Sequence, residues 1–429
     1  MGFSMVWVID LLIHLVYKAA GLRPHTVALD DDTTVHCWIS SSLLPPSSAI
    51  RSKEKKAKPL LLLIHGFGPR GTWQWSRQIW HLAARFDLVV PDLLFFGGST
   101  TRSPIRSEAF QAAAIARLLA VLGVGPPHRA RVSVAGTSYG GFVAYHVARA
   151  LGPEWVERVV IASSDVLKGP DDDRALLERA GGARSIDELL LPRTTADLRR
   201  LARLAVYRPP LFVPEFILRD MLQVNVPILG ILQTRSPILI FPRPCILNSG
   251  NTKITPTLHL VVYQSLSLSV HRPPSTWGGG KATEGRTWRG RRKEKEEEEE
   301  GKRQMTGKQG RGGGGEVRVA MTTTTENLFT DNLEEKLELI KGVTVANKDE
   351  FHLTPLPQQV LIIWGEHDQI FPVAKAIELQ KRLGENARLE VLQNTGHLPQ
   401  MEDANGFNKL LFSFLLGASQ PSLSSRVRD

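Results

Sequence analysis

The stretch "VAGTSYGGFVAYH", residues 134–146, decides how the chain reads. An apolar run enters it and a small-residue helical pattern leaves it. Ser138 stands between them, with Gly136 and Gly140 two residues away on either side. A strand that turns at once into a helix brings its two arms so close that only glycine fits at both flanks. Such a turn holds the serine in a strained backbone conformation. It projects Oγ above the C-terminal edge of a sheet, at the start of a helix dipole that favours negative charge. A lone G-x-S-x-G is a weak signal, so its weight depends on what else the chain supplies.

A serine hydroxyl is a poor nucleophile until a base takes its proton. "NTGHLPQMED" supplies His397 on a loop after the last predicted strand, and "WGEHDQIFP" supplies Asp368 after the strand before it. The order Ser138, Asp368, His397 is that of a strand–turn–helix nucleophile with its acid and base downstream. His397 would accept the serine proton, and Asp368 would fix the imidazole tautomer. Two rival acids stand nearby, Glu366 in the same loop and Asp165 in "IASSDV" after an earlier strand. Asp368 leads because its loop leaves a strand end and is closed by a proline. A developing oxyanion needs N–H donors already in place. The turn in "LLIHGFGPRG" (62–71) offers the backbone N–H of Phe67, and the residue after the nucleophile offers that of Tyr139. Trp73 and Trp75 read as core or pocket-wall residues.

Around these motifs, short apolar runs alternate with helical patterns. Residues 60–64, 87–90, 131–135, 158–162, 360–364 and 388–392 read as strands, most of them apolar on consecutive positions. That pattern suits strands covered on both faces. Val143, Val147 and Leu151 mark one helix, and Phe407, Leu410, Leu411, Phe414 and Leu415 another that Gly417 stops. The alternation predicts an α/β fold, a mostly parallel doubly wound sheet with helices on both faces. "TTVHCWIS" (33–40) alternates as an antiparallel edge hairpin would. Residues 171–223 are helical only: "SIDE" (185–188) has capping-box spacing, and "ADLRRLARLAVY" is amphipathic. "DNLEEKLELIKG" (331–342) reads as a capped helix ending on its glycine. These segments predict a helical cap inserted between two strands. The chain thus divides into an N-terminal amphipathic helix (1–19), a core in two parts (20–170 and 356–417), a cap (171–223 and 326–355) and a tail (418–429). Residues 224–325 fit none of these. Their prolines in apolar runs, followed by "KEKEEEEEGKRQ" and "QGRGGGGE", read as a disordered low-complexity insert.

Composition narrows the function classes. The net charge is +10, but residues 224–325 hold sixteen Lys/Arg against eight Glu, which leaves +2 for the other 327 residues. No uniformly basic face for nucleic acid is expected. The two cysteines, Cys37 and Cys245, offer neither a disulfide framework nor a cysteine zinc site. The N-terminal "MVWVIDLLIHLVYK" is well short of the ~20 apolar residues that span a bilayer. Asp10, His14 and Lys18 place a polar stripe on this otherwise apolar helix. The helix is expected to pack on the protein's own surface. Residues 5–18 are also the segment suited to peripheral membrane contact of an otherwise cytoplasmic protein.

"HGFG", "DLLFFGGS" (92–99), "GTSYGG", "WGEHDQIFP" and "NTGHLPQMED", in this order, resemble the α/β-hydrolase superfamily. They are similar to its plant lipase-like or esterase-like members, relatives of monoacylglycerol lipases and carbon–carbon bond hydrolases. The resemblance covers residues 20–223 and 326–417. It implies the α/β-hydrolase fold and a serine hydrolase with no metal or organic cofactor. Relatives with an aspartate nucleophile, the epoxide hydrolases and haloalkane dehalogenases, are disfavoured because Ser138 fills that position. The departure from the family is the insert, which lengthens the Ser138-to-Asp368 spacing. The expected substrate is a small apolar ester, with "VYRPPLFVPEFIL" (206–218) as apolar wall. The alternatives are a carbon–carbon hydrolase with the same triad and a non-catalytic ligand receptor on a hydrolase fold.

Overall fold

The computed structural model describes residues 4–44, 57–68, 70–126, 131–222, 331–345 and 353–417. The expected insert and tail lie outside these residues.

A helix, α1 (Met5–Ala19), leads into the hairpin β1 (Leu22–Ala28) and β2 (Thr33–Ser40). Alternation follows, with β3 (Leu60–Ile64), α2 (Gly71–Ala83), β4 (Asp87–Pro91), the two-residue β5 (Thr100–Thr101) and α3 (Glu108–Val121). Then come β6 (Val132–Thr137), α4 (Tyr139–Trp155) and β7 (Val156–Ala162). Helices alone come next: α5 (Pro170–Ala180), α6 (Ile186–Leu190), α7 (Thr195–Ala205), α8 (Glu215–Leu222) and α9 (Leu333–Val345). The chain closes with β8 (Gln359–Gly365), α10 (Val373–Leu383), β9 (Ala387–Leu392), α11 (Pro399–Glu402) and α12 (Ala404–Leu415).

The strands form one sheet in the order β1-β2-β4-β3-β6-β7-β8-β9, with β5 paired to β2. From β4 onward every pairing is parallel, while β1–β2 and β2–β4 are antiparallel. β3 shows why consecutive apolar residues were needed. Leu60, Leu62 and Ile64 pack toward α3, α4 and α10 on one face, while Leu61 and Leu63 pack toward α2 and α12 on the other. All five are buried, so a polar residue at any of them would face a core rather than water. Pro24, which lacks an N–H, lies in the edge strand β1, where a missing donor costs least.

The predicted strands all form, and the helical segments between β7 and β8 form as α5 to α9. Two local expectations change. Gly342 does not end its helix, which runs on to Val345. A Cβ there would lie 2.7 Å from the Arg106 carbonyl oxygen, so this glycine lets another chain segment approach instead of capping. The "SIDE" box is half made: Ser185 Oγ accepts from the Glu188 N–H, but the Glu188 carboxylate accepts from the Arg184 N–H, one residue too early. The sequence leaves open which side the polar stripe of α1 faces. Asp10 is buried and His14 stacks on Trp38, so two of its three members turn toward the protein. No helix among the described residues is long and apolar enough to cross a membrane.

Candidate active site

β6 ends at Thr137 and α4 begins at Tyr139, so Ser138 alone turns the chain. Its φ of 51° and ψ of −125° are strained for a residue with a Cβ. The strain is held by close contact. A Cβ on Gly136 would fall 2.0 Å from the Gly140 carbonyl oxygen, and one on Gly140 would fall 2.4 Å from the carbonyl oxygens of Ile64 and His65. The Ser138 N–H donates to Ala162 O in β7 at 2.8 Å, which fixes the turn to the sheet.

Two strand-end loops bring partners to this turn. His397 Nε2 lies 2.9 Å from Ser138 Oγ, and His397 Nδ1 lies 2.9 Å from Asp368 Oδ2. The other carboxylate oxygen of Asp368 accepts the N–H groups of Ile370 and Phe371, both at 2.9 Å. With its oxygens so committed, Asp368 takes the Nδ1–H, and Nε2 is left as an acceptor facing the hydroxyl. Asp368 and His397 are both buried. A hydroxyl, an imidazole and a carboxylate in this chain can pass a proton from oxygen to nitrogen.

The rival acids go elsewhere. Glu366 Oε2 accepts from the Asn394 N–H at 3.1 Å and lies beside His367, on an exposed edge. Asp165 is fully buried under α5 and α10, with Lys375 Nζ 3.5 Å away. Burial pushes its carboxyl up to about 6, against the pull of Lys375.

The loop after β3 abuts the turn, since a Cβ on Gly66 would touch Ser138 Cβ at 2.7 Å. Phe67 and Tyr139 therefore follow side by side, their rings edge-to-face with centroids 6.2 Å apart. Tyr139 heads α4, where the first N–H groups have no intrahelical acceptor. Two residues that sequence reasoning missed shape this loop. Gln74 Oε1 accepts the Gly66 N–H at 2.7 Å, while its amide donates back to Gly66 O. His65 donates from Nδ1 to Gly66 O and accepts the Leu93 N–H at Nε2, which requires a neutral ring. Burial lowers its pKa accordingly. Trp75 is fully buried core, and Trp73 donates to Asp10 on α1.

Ser138 and His397 open onto a cavity of about 290 Å³. Phe142, Phe371 and Ile340 line it together with Leu198, Leu201, Ala202 and Ala205 of α7. Of residues 206–218 only Val206 reaches it. The prolines at 209, 210 and 214 carry that segment outward, and Leu211, Phe212 and Phe216 are exposed. The wall expected from this stretch comes instead from the apolar stripe of α7. Lys168 is the one Lys, Arg, Asp or Glu of the lining among the described residues, and its ammonium is ion-paired with Asp173.

Glu402 was also missed. Its Oε1 accepts the Gly396 N–H and its Oε2 the Tyr207 N–H, both at 2.9 Å. The His397 N–H in turn donates to Ala205 O at 2.9 Å. One carboxylate thus ties the histidine loop to the end of α7. No sequence motif marks this link, because its partners lie 195 and 6 residues away.

Comparison with known proteins agrees with this architecture. Residues 59–210 match a family model described as the alpha/beta hydrolase fold. An uncharacterized protein of Mycobacterium tuberculosis is 37% identical over 106 residues, 25% of this chain and 29% of that protein. A 2-hydroxy-6-oxononadienedioate/2-hydroxy-6-oxononatrienedioate hydrolase of Pseudomonas putida is 29% identical over 102 residues, 21% of this chain and 35% of that one. The chain thus spans about a third of the length of these curated relatives. Among solved structures, one named for a lipase of Acinetobacter baumannii AYE superposes with a TM-score of 0.56 at 18% identity, covering 97% of this chain and 98% of that one. A 2-hydroxy-6-oxo-6-phenylhexa-2,4-dienoate hydrolase of Rhodococcus sp. strain RHA1 gives 0.52 at 16% identity, covering 92% and 98%. At such identities the structural likeness speaks for the fold alone.

Glu402→Ala is expected to lower kcat by about 10²-fold through misplacement of His397, with a smaller change in KM, while Glu402→Gln keeps much of the rate. Steady-state kinetics of the two variants checks this, and equal rates for wild type and Glu402→Ala would remove the link. Asp165 binds its proton more tightly folded, at about 6, than at its ordinary value of 3.8. The penalty for ionising it is therefore absent below about 4 and complete above about 6, so stability falls as pH rises through that window. Urea unfolding between pH 4 and 7 should show this decline in wild type and a flatter profile in Asp165→Asn.

Proposed function

We propose that the chain, residues 59–210 of which match the alpha/beta hydrolase fold, hydrolyses a carboxylic ester through an acyl-enzyme on Ser138. The observation that carries the proposal is the pair of 2.9 Å contacts linking Ser138 Oγ, His397 and Asp368 at the floor of an apolar cavity. His397 Nε2 takes the hydroxyl proton as Oγ attacks the carbonyl carbon of the ester. Negative charge develops on the carbonyl oxygen, where the backbone N–H groups of Phe67 and Tyr139 receive it. The tetrahedral intermediate collapses, His397 returns the proton to the departing alkoxide, and the alcohol leaves. Water then attacks the acyl group with His397 again as base, releasing the acid and restoring Ser138. Asp368 keeps Nδ1 protonated and stabilises the imidazolium. No step calls on a metal or organic cofactor.

The lining favours an apolar acyl or aromatic group over a charged one. The carbon–carbon hydrolases among the similar proteins are named for carboxylate substrates, and a buried carboxylate needs a cation to offset its desolvation. Among the described lining residues the single Lys or Arg, Lys168, is already neutralised by Asp173. Ester cleavage therefore leads, and the substrate is a small apolar molecule rather than a nucleic acid.

A fluorophosphonate probe is expected to label the protein at Ser138, and Ser138→Ala to abolish the labelling. His397→Ala should cut turnover of a short-chain nitrophenyl ester on the order of 10⁴-fold. Folded protein that takes no label would point to a ligand receptor. Turnover of a dienone acid but of no ester would point to carbon–carbon cleavage.

A further inference from the structure

We propose that the protein docks on a lipid bilayer surface through the outer face of α1 and the α7–α8 connection. The proposal rests on the ester reading for its purpose, the delivery of an apolar substrate, but not for its geometry.

Helix α1 is packed inside out. Its acid and its imidazole, Asp10 and His14, face the protein. Arg70 Nη1 and Trp73 Nε1 donate to the two oxygens of Asp10 at 3.1 and 2.8 Å, and His14 stacks on Trp38 with centroids 5.1 Å apart. Tyr17, on the same side, donates its hydroxyl to Thr72 O at 3.1 Å. With the polar groups turned in, the outer arc is left to Ile9, Leu12, Leu15 and Val16, all exposed, Leu12 by 55%. A surface helix ordinarily does the reverse. Within α1 the exposed charge is Lys18, at its C-terminal end.

A second exposed apolar group lies on the α7–α8 connection and the start of α8, where Leu211, Phe212 and Phe216 project, Phe212 by 79%. The elements that carry the two groups are packed against each other. The α8 carboxylate Asp220 accepts the Val6 N–H at 2.8 Å, and Val6 packs with Leu198 and Leu218 in a cluster joined by Val213 and Met221. Leu198 and Met221 of that cluster also line the Ser138 cavity. The cluster under the outer face therefore abuts the wall of the Ser138 cavity.

These features select a bilayer as the occupant. Exposed apolar patches of this extent mark interaction sites. A 15-residue helix rises ~22 Å, too short to cross a hydrocarbon core of ~30 Å but suited to lying along its boundary. The exposed Lys18 at the end of α1 suits anionic headgroups, while Arg219 of α8 is ion-paired with the exposed Glu215. The shared residues Leu198 and Met221 give such docking a consequence, since it would set the cavity beside the bilayer that holds an apolar ester.

The test is co-flotation of the full chain with vesicles of phosphatidylcholine, alone and mixed with phosphatidylglycerol. Wild type is expected to float with both, more strongly with the mixture and less so at high salt. Leu12→Glu/Leu15→Glu should reduce the bound fraction at least tenfold while its thermal midpoint and its turnover of a soluble nitrophenyl ester stay within twofold of wild type. Wild type that stays at the bottom of the gradient would overturn the proposal. So would a double variant that floats as well as wild type. A wild-type dimer in sedimentation that the double variant abolishes, without vesicle binding, would assign the face to a second copy and likewise overturn it. Fluorophosphonate labelling is read on the same samples. Flotation without labelling removes the ester reading and leaves the docking, and labelling without flotation does the opposite.

Discussion

The closeness of two backbones is the constraint on which the rest of this structure depends. Between β6 and α4 there is room for the carbonyl of Gly140 against Gly136 and for nothing more, since an added Cβ would sit 2.0 Å from it. That contact forces Ser138 into a positive φ, and the positive φ lifts Oγ off the sheet toward the loops that follow β3 and β9. The strain is local; what it does is remote. It brings one hydroxyl within reach of His397 and beside the helix end where Tyr139 begins α4.

The histidine is held where the core and the cap meet. Glu402 accepts one N–H from the loop carrying His397 and one from the end of α7. The His397 N–H itself is spent on Ala205. Gly396 is squeezed between these elements, with a notional Cβ 2.8 Å from Ala205 O. The same helix, α7, supplies much of the cavity wall. A displacement of the cap would thus change the cavity and the base together, which couples substrate fit to proton transfer.

Much of this was legible in the sequence because the deciding signals are local. A strand, a turn glycine pair and a helix lie within thirteen residues at 134–146, and the acid and base each follow a strand of unmistakable apolar pattern. What was not legible depends on partners far along the chain. The spacing of Asp10 and His14 defines a stripe but not the side it faces; that is settled by Arg70, Trp73 and Trp38. Likewise "VYRPPLFVPEFIL" is apolar enough for a pocket wall, but its prolines direct it outward. Gly342 carries the composition of a helix stop, yet it serves a close approach to Arg106. Gln74 bears no signature, and His65 and Glu402 stand inside quoted motifs that do not disclose their contacts, because each acts through backbone groups that any sequence would supply.

The claim that the turn at Ser138 aims Oγ between a base and a pair of N–H donors is tested most directly by a crystal structure of the phosphonylated protein. The account predicts phosphorus bonded to Ser138 Oγ, with the phosphoryl oxygen about 2.7–3.1 Å from the backbone nitrogens of both Phe67 and Tyr139. An adduct on another residue, or a phosphoryl oxygen turned to solvent with both nitrogens out of reach, would contradict it.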